Sequence, residues 1–257
     1  MKFIGVDLAW SPKNNSGIAL IDGTRRGGRL RYAGLALSDE EITDAISKEK
    51  GDALVAIDAP LIVPNKTGRR LAEEVVGNLF RRYDAGAHPA NRTRLGEWSG
   101  GKIRGEEIVR QLRALGFIHD PKIARYESCR KVFEVYPHPS MVVIFGLNHI
   151  LQYKARPNRP NSVRIKEFRR YESLLKGLSS GKPRLEIPEE LLGRNISAMG
   201  PSELKRHEDA LDAIFCAYIA YYCWSNPEKC MVLGNMKKGY ILTPVFDHMN
   251  GEQRLLM

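Results

Sequence analysis

The stretch Lys2-Phe3-Ile4-Gly5-Val6-Asp7-Leu8-Ala9-Trp10 decides the fold. It reads as a strand from Phe3 to Trp10, with an Asp set inside its apolar run. The next segment, Ser11-Pro12-Lys13-Asn14-Asn15-Ser16-Gly17, is turn chemistry. Ile18 to Ile21 reads as a second strand, ended by Asp22-Gly23, and Arg29 to Leu37 as a third. Two short connections between three successive strands predict an antiparallel meander. Ser38-Asp39-Glu40-Glu41 then opens a helix with Ser38 as its cap and Glu41 completing a capping box. The helix runs to about Lys50 and Gly51 stops it. Leu54-Val55-Ala56-Ile57 is a continuous apolar run, as expected of a strand buried on both faces. The intervening helix sets it parallel to the first strand. No G-x-G-x-x-G follows the first strand and no P-loop occurs, so the order fits a mixed sheet and not a dinucleotide-binding fold.

Outward from this core, residues 61 to about 130 read as an insertion. It holds an amphipathic helix from Gly68 to Tyr83, with Leu71, Val75 and Leu79 on one face. A loop rich in Gly, Pro, Asn and Arg follows from Asp84 to Arg104, then a helix from Arg104 to Leu115. Lys131 to Val135 is the next strand, closed by Tyr136-Pro137-His138-Pro139. A second insertion covers about 150–200; Ser162 caps a helix to Leu175 within it. Pro201-Ser202 opens a long helix that runs to about Trp224. The expectation is one α/β domain over 1–257, with a mixed five-stranded sheet flanked by helices.

The composition is that of an ordinary globular chain: 43% hydrophobic and 27% charged residues over 257 positions. No apolar run approaches the ~20 residues of a membrane helix. Asp7 interrupts the N-terminal apolar stretch that a signal peptide would need, so the expected location is the cytoplasm, with no membrane partner. Four cysteines form no C-x-x-C pair and read as buried hydrophobes. The net charge of +10 favours a polyanionic partner, nucleic acid first.

The chemistry lies in carboxylates. Asp7, Asp58 and Glu134 each sit in a separate apolar run, where an acid is costly unless paired or liganded. Asp58 can also make an Asx-type turn, and Glu134 can pair with an Arg. On the last helix, Asp209, Asp212, Cys216, Ile219 and Cys223 share one stripe. The apolar end of that stripe faces the core, so it aims Asp209 and Asp212 toward the sheet. Arg206 is well placed to pair with Asp209 instead. Crowded carboxylates require a counter-ion, and hard oxygen donors suit Mg²⁺ or Mn²⁺. Two such ions about 4 Å apart support phosphodiester hydrolysis.

Gly5-Val6-Asp7-Leu8-Ala9, Ala56-Ile57-Asp58-Ala59-Pro60, Glu134-Val135-Tyr136-Pro137 and Asp209-Ala210-Leu211-Asp212-Ala213 together resemble domain-of-unknown-function family 429. That family is regarded as nucleases with an RNase H-like fold. His207-Glu208-Asp209-Ala210-Leu211-Asp212-Ala213 is also similar to the last helix of RuvC-type junction resolvases. The resemblance implies Asp7, Asp58 and Asp212 as core metal ligands, with Glu134 and Asp209 as candidates for the remaining position. It implies a nuclease acting on DNA or RNA. The chain departs from typical RNase H enzymes on its first helix, where no apolar stripe aims Glu40, Glu41 or Asp44 at the site.

Lys154 and His207 are candidate auxiliaries for proton transfer or phosphate binding. Arg81, Arg82, Arg92 and Arg94, with Tyr83 and Trp98 interleaved, are candidates for gripping a strand. His88 and His138, beside prolines, read as loop residues. Two other functions compete: a non-catalytic nucleic-acid-binding protein that kept the fold, and a phosphotransferase of the actin-like or sugar-kinase type. Asp7-Leu8-Ala9-Trp10 lacks the Gly-rich phosphate loop that the phosphotransferase requires.

Overall fold

Strand β1 (Lys2–Asp7) lies at the centre of the sheet. The computed structural model describes residues 1–250, so the end of the expected 1–257 domain, residues 251–257, lies outside the described residues. β2 (Ser16–Gly23) runs antiparallel to β1, and β3 (Gly28–Ala36) antiparallel to β2. Helix α1 (Asp39–Ser47) returns the chain to β4 (Ala53–Asp58), which pairs parallel to β1. The meander and the parallel return are thus as the turn chemistry predicts. At the start of α1, Ser38 accepts from the Glu41 N–H, but the Glu41 carboxylate reaches back to the Leu37 N–H rather than to the cap's own.

Three helices follow: α2 (Leu71–Phe80), α3 (Arg92–Trp98) and α4 (Arg104–Ala114). α3 falls inside the segment expected to be loop. It forms because Asn91 caps it, accepting from the Arg94 N–H at 2.9 Å. β5 (Ile118–His119) and β6 (Arg130–Glu134) add parallel strands beyond β4. The Tyr136-Pro137-His138-Pro139 turn is instead the start of helix α5 (Pro137–Phe145). A proline in the first helical turn lacks only an N–H that would have no helical partner, so it opens a helix as readily as it closes a strand. Then come α6 (Asn161–Gly177), β7 (Leu185–Glu186), α7 (Pro201–Ser225), β8 (Cys230–Asn235) and β9 (Gly239–Pro244).

The sheet has seven strands, in the order β5-β6-β4-β1-β2-β3-β7, rather than the five expected. The two extra strands are two-residue edges, too short to carry any hydrophobic period. Their removal leaves β6-β4-β1-β2-β3, an order consistent with an RNase H-like core. β8 and β9 form a separate hairpin, also missed. Its turn is held by the Asn235 side chain, which accepts from the N–H groups of Lys237 and Lys238.

Strand alternation divides the interior into two cores. Phe3, Ala19, Ile21, Leu54, Ala56 and Phe133 face α7. Ile4, Val6, Leu20, Val55, Ile57 and Val132 face Ile42 and Ile46 of α1 and Ile108 and Leu112 of α4. α7 is buried on almost every side, more than a one-sided stripe requires. Small residues let it sit close: Gly5, Ala19 and Ala56 are neighbours across three strands. A Cβ on Gly5 would stand 2.1 Å from the carbonyl oxygen of Ala213. No described helix is long and apolar enough to cross a membrane.

Candidate functional site

Asp7 and Asp58 are direct partners at the ends of parallel strands β1 and β4. Adjacent strands lie ~4.8 Å apart, so the two carboxyls are side by side. Both follow the parity of Phe3 and Leu54 and leave the sheet on the α7 face. Opposite Asp7 on β2 is Gly17. A Cβ there would lie 1.9 Å from the Asp209 carbonyl oxygen, so this glycine brings the acidic turn of α7 down onto the strand ends. Asp212 is fully buried beneath them.

Three groups converge on Asp212. The Tyr153 hydroxyl donates to Oδ1 at 2.6 Å, and the Tyr171 hydroxyl reaches the same oxygen at 3.3 Å. The Lys154 ammonium lies 2.8 Å from Oδ2. That contact falls outside hydrogen-bonding geometry, so Oδ2 is a buried oxygen with no hydrogen bond. No hydrogen bond or ion pair among the described residues reaches the Asp7 or Asp58 carboxylate.

The electrostatics follow from this crowding. Burial is the largest influence on Asp7 and pushes its pKa well up; Lys154 opposes the rise, and Asp212, Asp58 and Asp209 add to it. Asp58 is pushed up to about 7 by burial, again against Lys154, with Asp212 and Glu134 reinforcing the rise. Burial works against the charge on Lys154, but Asp212, Asp7, Glu208 and Asp58 overcome it and hold the ammonium firmly protonated. Lys154 is therefore the cation of the cluster. Among the described residues, no three His, Cys, Asp or Glu side chains are arranged as a metal cage. Asp212, Asp7 and Asp58 are instead gathered around the Lys154 ammonium.

Glu134 sits differently. Its register partner on β4 is Ile57, not Asp58, so it stands one step out of register with the Asp7–Asp58 pair while lining the same cleft. There Arg70 clamps it with two bonds, Nη1 to Oε2 at 2.9 Å and Nη2 to Oε1 at 2.6 Å. The Leu61 N–H adds a third bond at 2.9 Å. Arg70 also holds Glu73 through Nε at 2.7 Å, and all three residues are buried. Burial pushes the Glu134 carboxyl up while the Arg70 fork pulls against it. Both carboxylate oxygens are thus committed to the protein.

Asp209 is paired too, with Lys205 rather than the expected Arg206. The Lys205 ammonium donates to Asp209 at 2.7 Å and to Glu208 at 2.8 Å. His207 points away from the cluster: its Nε2 is 2.9 Å from Glu172 on α6, and its ring packs against Phe168.

Asp7, Asp58 and Lys154, but not the buried Asp212, line a cleft of about 1030 Å³. Lys13, Arg156, Arg159, Lys205 and Arg206 line it, with Trp10, Trp98 and Tyr136 among them. The four arginines expected to grip a strand lie outside this lining. Arg92 pairs with Glu106, Arg82 bonds the Tyr83 hydroxyl, Arg81 is exposed, and Arg94 stacks 5.1 Å over the Trp10 ring. His88 and His138 both line the cleft. His138, on helix α5 rather than a loop, has a buried Nδ1 with no hydrogen-bond partner and a pKa pushed down to about 3, chiefly by burial and then by Lys154.

The residues that sequence reading missed are those that orient the acids. Tyr153 precedes Lys154 directly, so its place beside that lysine was a usable signal. Tyr171 and Arg70 carry none: each is far in sequence from the group it holds. No curated protein matches the chain. A family model described as "Protein of unknown function (DUF429)" matches residues 5–236, most of the chain and all of the acidic cluster. The chain therefore belongs to the DUF429 family.

Proposed function

We propose that this protein hydrolyses phosphodiester bonds of nucleic acid at the Asp7–Asp58–Asp212 cluster, with Mg²⁺ or Mn²⁺ as its cofactor, and that its sheet is an RNase H-like core. One observation carries the reading: two strand-end carboxylates in direct register on the floor of a cleft rimmed by Lys13, Arg156 and Arg159, with a third, Asp212, buried behind them on α7. The donor set suits a hard divalent cation, since Asp7 and Asp58 accept no hydrogen bond from the described residues and Oδ2 of Asp212 is held only by the Lys154 ammonium. When bound, such an ion would polarise the phosphoryl oxygens and generate a hydroxide nucleophile at neutral pH.

The chain's own residues have distinct tasks in this reading. Tyr153 and Tyr171 fix the Asp212 carboxylate by hydrogen bonds. Lys205 neutralises Asp209 and Glu208, so that the charge of the cluster concentrates on the other three acids. Lys154 is free to leave Asp212 for a phosphate oxygen of the substrate. Glu134 and Arg70 brace the end of β6 in the wall of the same cleft.

The test is a cleavage panel of single-stranded, duplex, branched and hybrid substrates with Mg²⁺ and Mn²⁺, run beside Asp7→Asn. Metal-dependent products that vanish in the variant, with its circular dichroism unchanged, are expected. Cleavage by the Asp7→Asn/Asp212→Asn double variant would overturn the proposal.

The position of Lys154 favours one second reading, a nucleic-acid-binding protein without turnover. An ammonium already neutralises the cluster where a metal would. That reading predicts salt-sensitive binding that survives loss of the carboxylates and no cleavage with either metal.

A further inference from the structure

Two of the three tryptophans stand at the cleft, and both are solvent-exposed. Trp98 is 56% exposed at the end of α3, and its indole makes no hydrogen bond, ring contact or cation contact among the described residues. Trp10 is 38% exposed, three residues beyond Asp7. Its loop is rigidly held. The Ala9 N–H donates to Ser16 Oγ at 3.2 Å, and Arg104 donates to the carbonyls of Ala9 and Ser11. Arg104 is itself fixed by Asp39 at 2.6 Å. Arg94 covers one Trp10 face, which extends that indole into a second flat, cationic surface. Large aromatic faces left open to water beside a charged cleft mark a binding surface rather than a core.

Phosphates alone would need only the cationic side chains. Indole and guanidinium planes add something a duplex cannot use along its length, because its base faces are already stacked on one another. Unpaired bases present both faces. We infer that the cleft takes a single-stranded or locally unpaired segment of nucleic acid, whose bases stack on Trp98 and on the Trp10–Arg94 pair while its phosphates meet Lys13, Arg156 and Arg159. The inference rests on the nucleic-acid reading above and names its substrate class. It also fits the acidic floor: a strand held by its bases at the rim presents its backbone to Asp7 and Asp58.

The experiment measures binding of the full chain in EDTA, so that turnover plays no part. Oligo-dT, oligo-rU and a blunt hairpin duplex are titrated while intrinsic tryptophan fluorescence is followed. Trp224 is buried, with its Nε1–H on the Glu127 carbonyl, so quenching reports Trp10 and Trp98. Either single strand should quench, and the duplex should bind more weakly with little quenching. Trp98→Ala, at an exposed position, should lower oligomer affinity about tenfold, and Trp10→Phe should lower it less. Equal quenching or tighter binding by the duplex overturns the inference. Unchanged oligomer affinity in both variants overturns it as well. Stacking without metal-dependent cleavage would sink the hydrolase reading alone and leave this one standing.

Discussion

The Lys154 ammonium stands 2.8 Å from Oδ2 of Asp212, a carboxylate with no exposed side-chain surface. Removal of one partner from a buried ion pair leaves the other charge uncompensated. Lys154 is 30% exposed, so the effect is smaller than for a fully buried pair. Lys154→Met should lower unfolding free energy by about 2 kcal/mol, measured by urea denaturation. If the ammonium stands where a divalent ion would bind, Mn²⁺ should raise the melting temperature of Lys154→Met more than that of the wild type. The same Mn²⁺ shift in both proteins would refute the shared position.

Asp58 makes the cluster sensitive to pH. Its pKa in the folded chain is about 7, against the ordinary carboxyl value of 3.8 when unfolded. The folded protein therefore binds the extra proton between these values, and stability falls as pH rises through that window. Asp58→Asn should flatten this slope and stabilise the metal-free protein at pH 8, by on the order of 2 kcal/mol. Mg²⁺ or Mn²⁺ should restore the wild type more at pH 8 than at pH 5. Melting curves across pH, with and without metal, decide it; a wild-type slope that rises with pH would contradict the assignment.

Much of this arrangement was legible from local pattern. Asp7 and Asp58 stood out because an acid in an apolar strand is conspicuous, and the helix between β3 and β4 set their strands parallel. Asp212 followed from the spacing of α7. Glu134 looked equivalent by the same logic; it lines the same cleft, but one step out of register and with both oxygens held by Arg70. Sequence carries strand periodicity but not the pairing offset between strands 70-odd residues apart. For the same reason the partners Arg70 and Tyr171 were silent: long-range hydrogen bonds leave no local signal. The edge strands were lost to brevity and α5 to prolines that serve turns and helix starts equally.

The register of Glu134 leads to its own prediction. Arg70→Met strands Glu134 and Glu73 as buried charges and should cost about 3–5 kcal/mol. Glu134→Gln keeps the shape, loses the charge pair, and should destabilise by a smaller amount. Because Arg70 and the Leu61 N–H already hold both Glu134 oxygens, that variant should keep the wild-type Mn²⁺ affinity, measured by titration calorimetry. Loss of Mn²⁺ binding with an unchanged urea midpoint would place Glu134 in the cation site instead.

Gly17 offers the sharpest test of how the cluster is assembled. Its missing side chain lets the Asp209 carbonyl approach to within 1.9 Å of the Cβ position, directly opposite Asp7. The two nearest atoms, the Asp209 carbonyl oxygen and carbon, are backbone and cannot rotate aside. Gly17→Ala must push the start of α7 off β2, and overpacking of this kind costs about 1–3 kcal/mol. Gly5→Ala meets the Ala213 carbonyl and the Ala217 amide, deeper in the same interface, and should cost at least as much. The two differ in what they do to the site. Displacement at Gly17 moves Asp209 and Asp212 relative to Asp7, so it should weaken Mn²⁺ binding even where the protein stays folded. Gly77→Ala on α2, where a Cβ meets nothing, is the control and should be neutral or stabilising. If Gly17→Ala matches that control in both stability and metal affinity, α7 does not rest on β2 as closely as its packing requires.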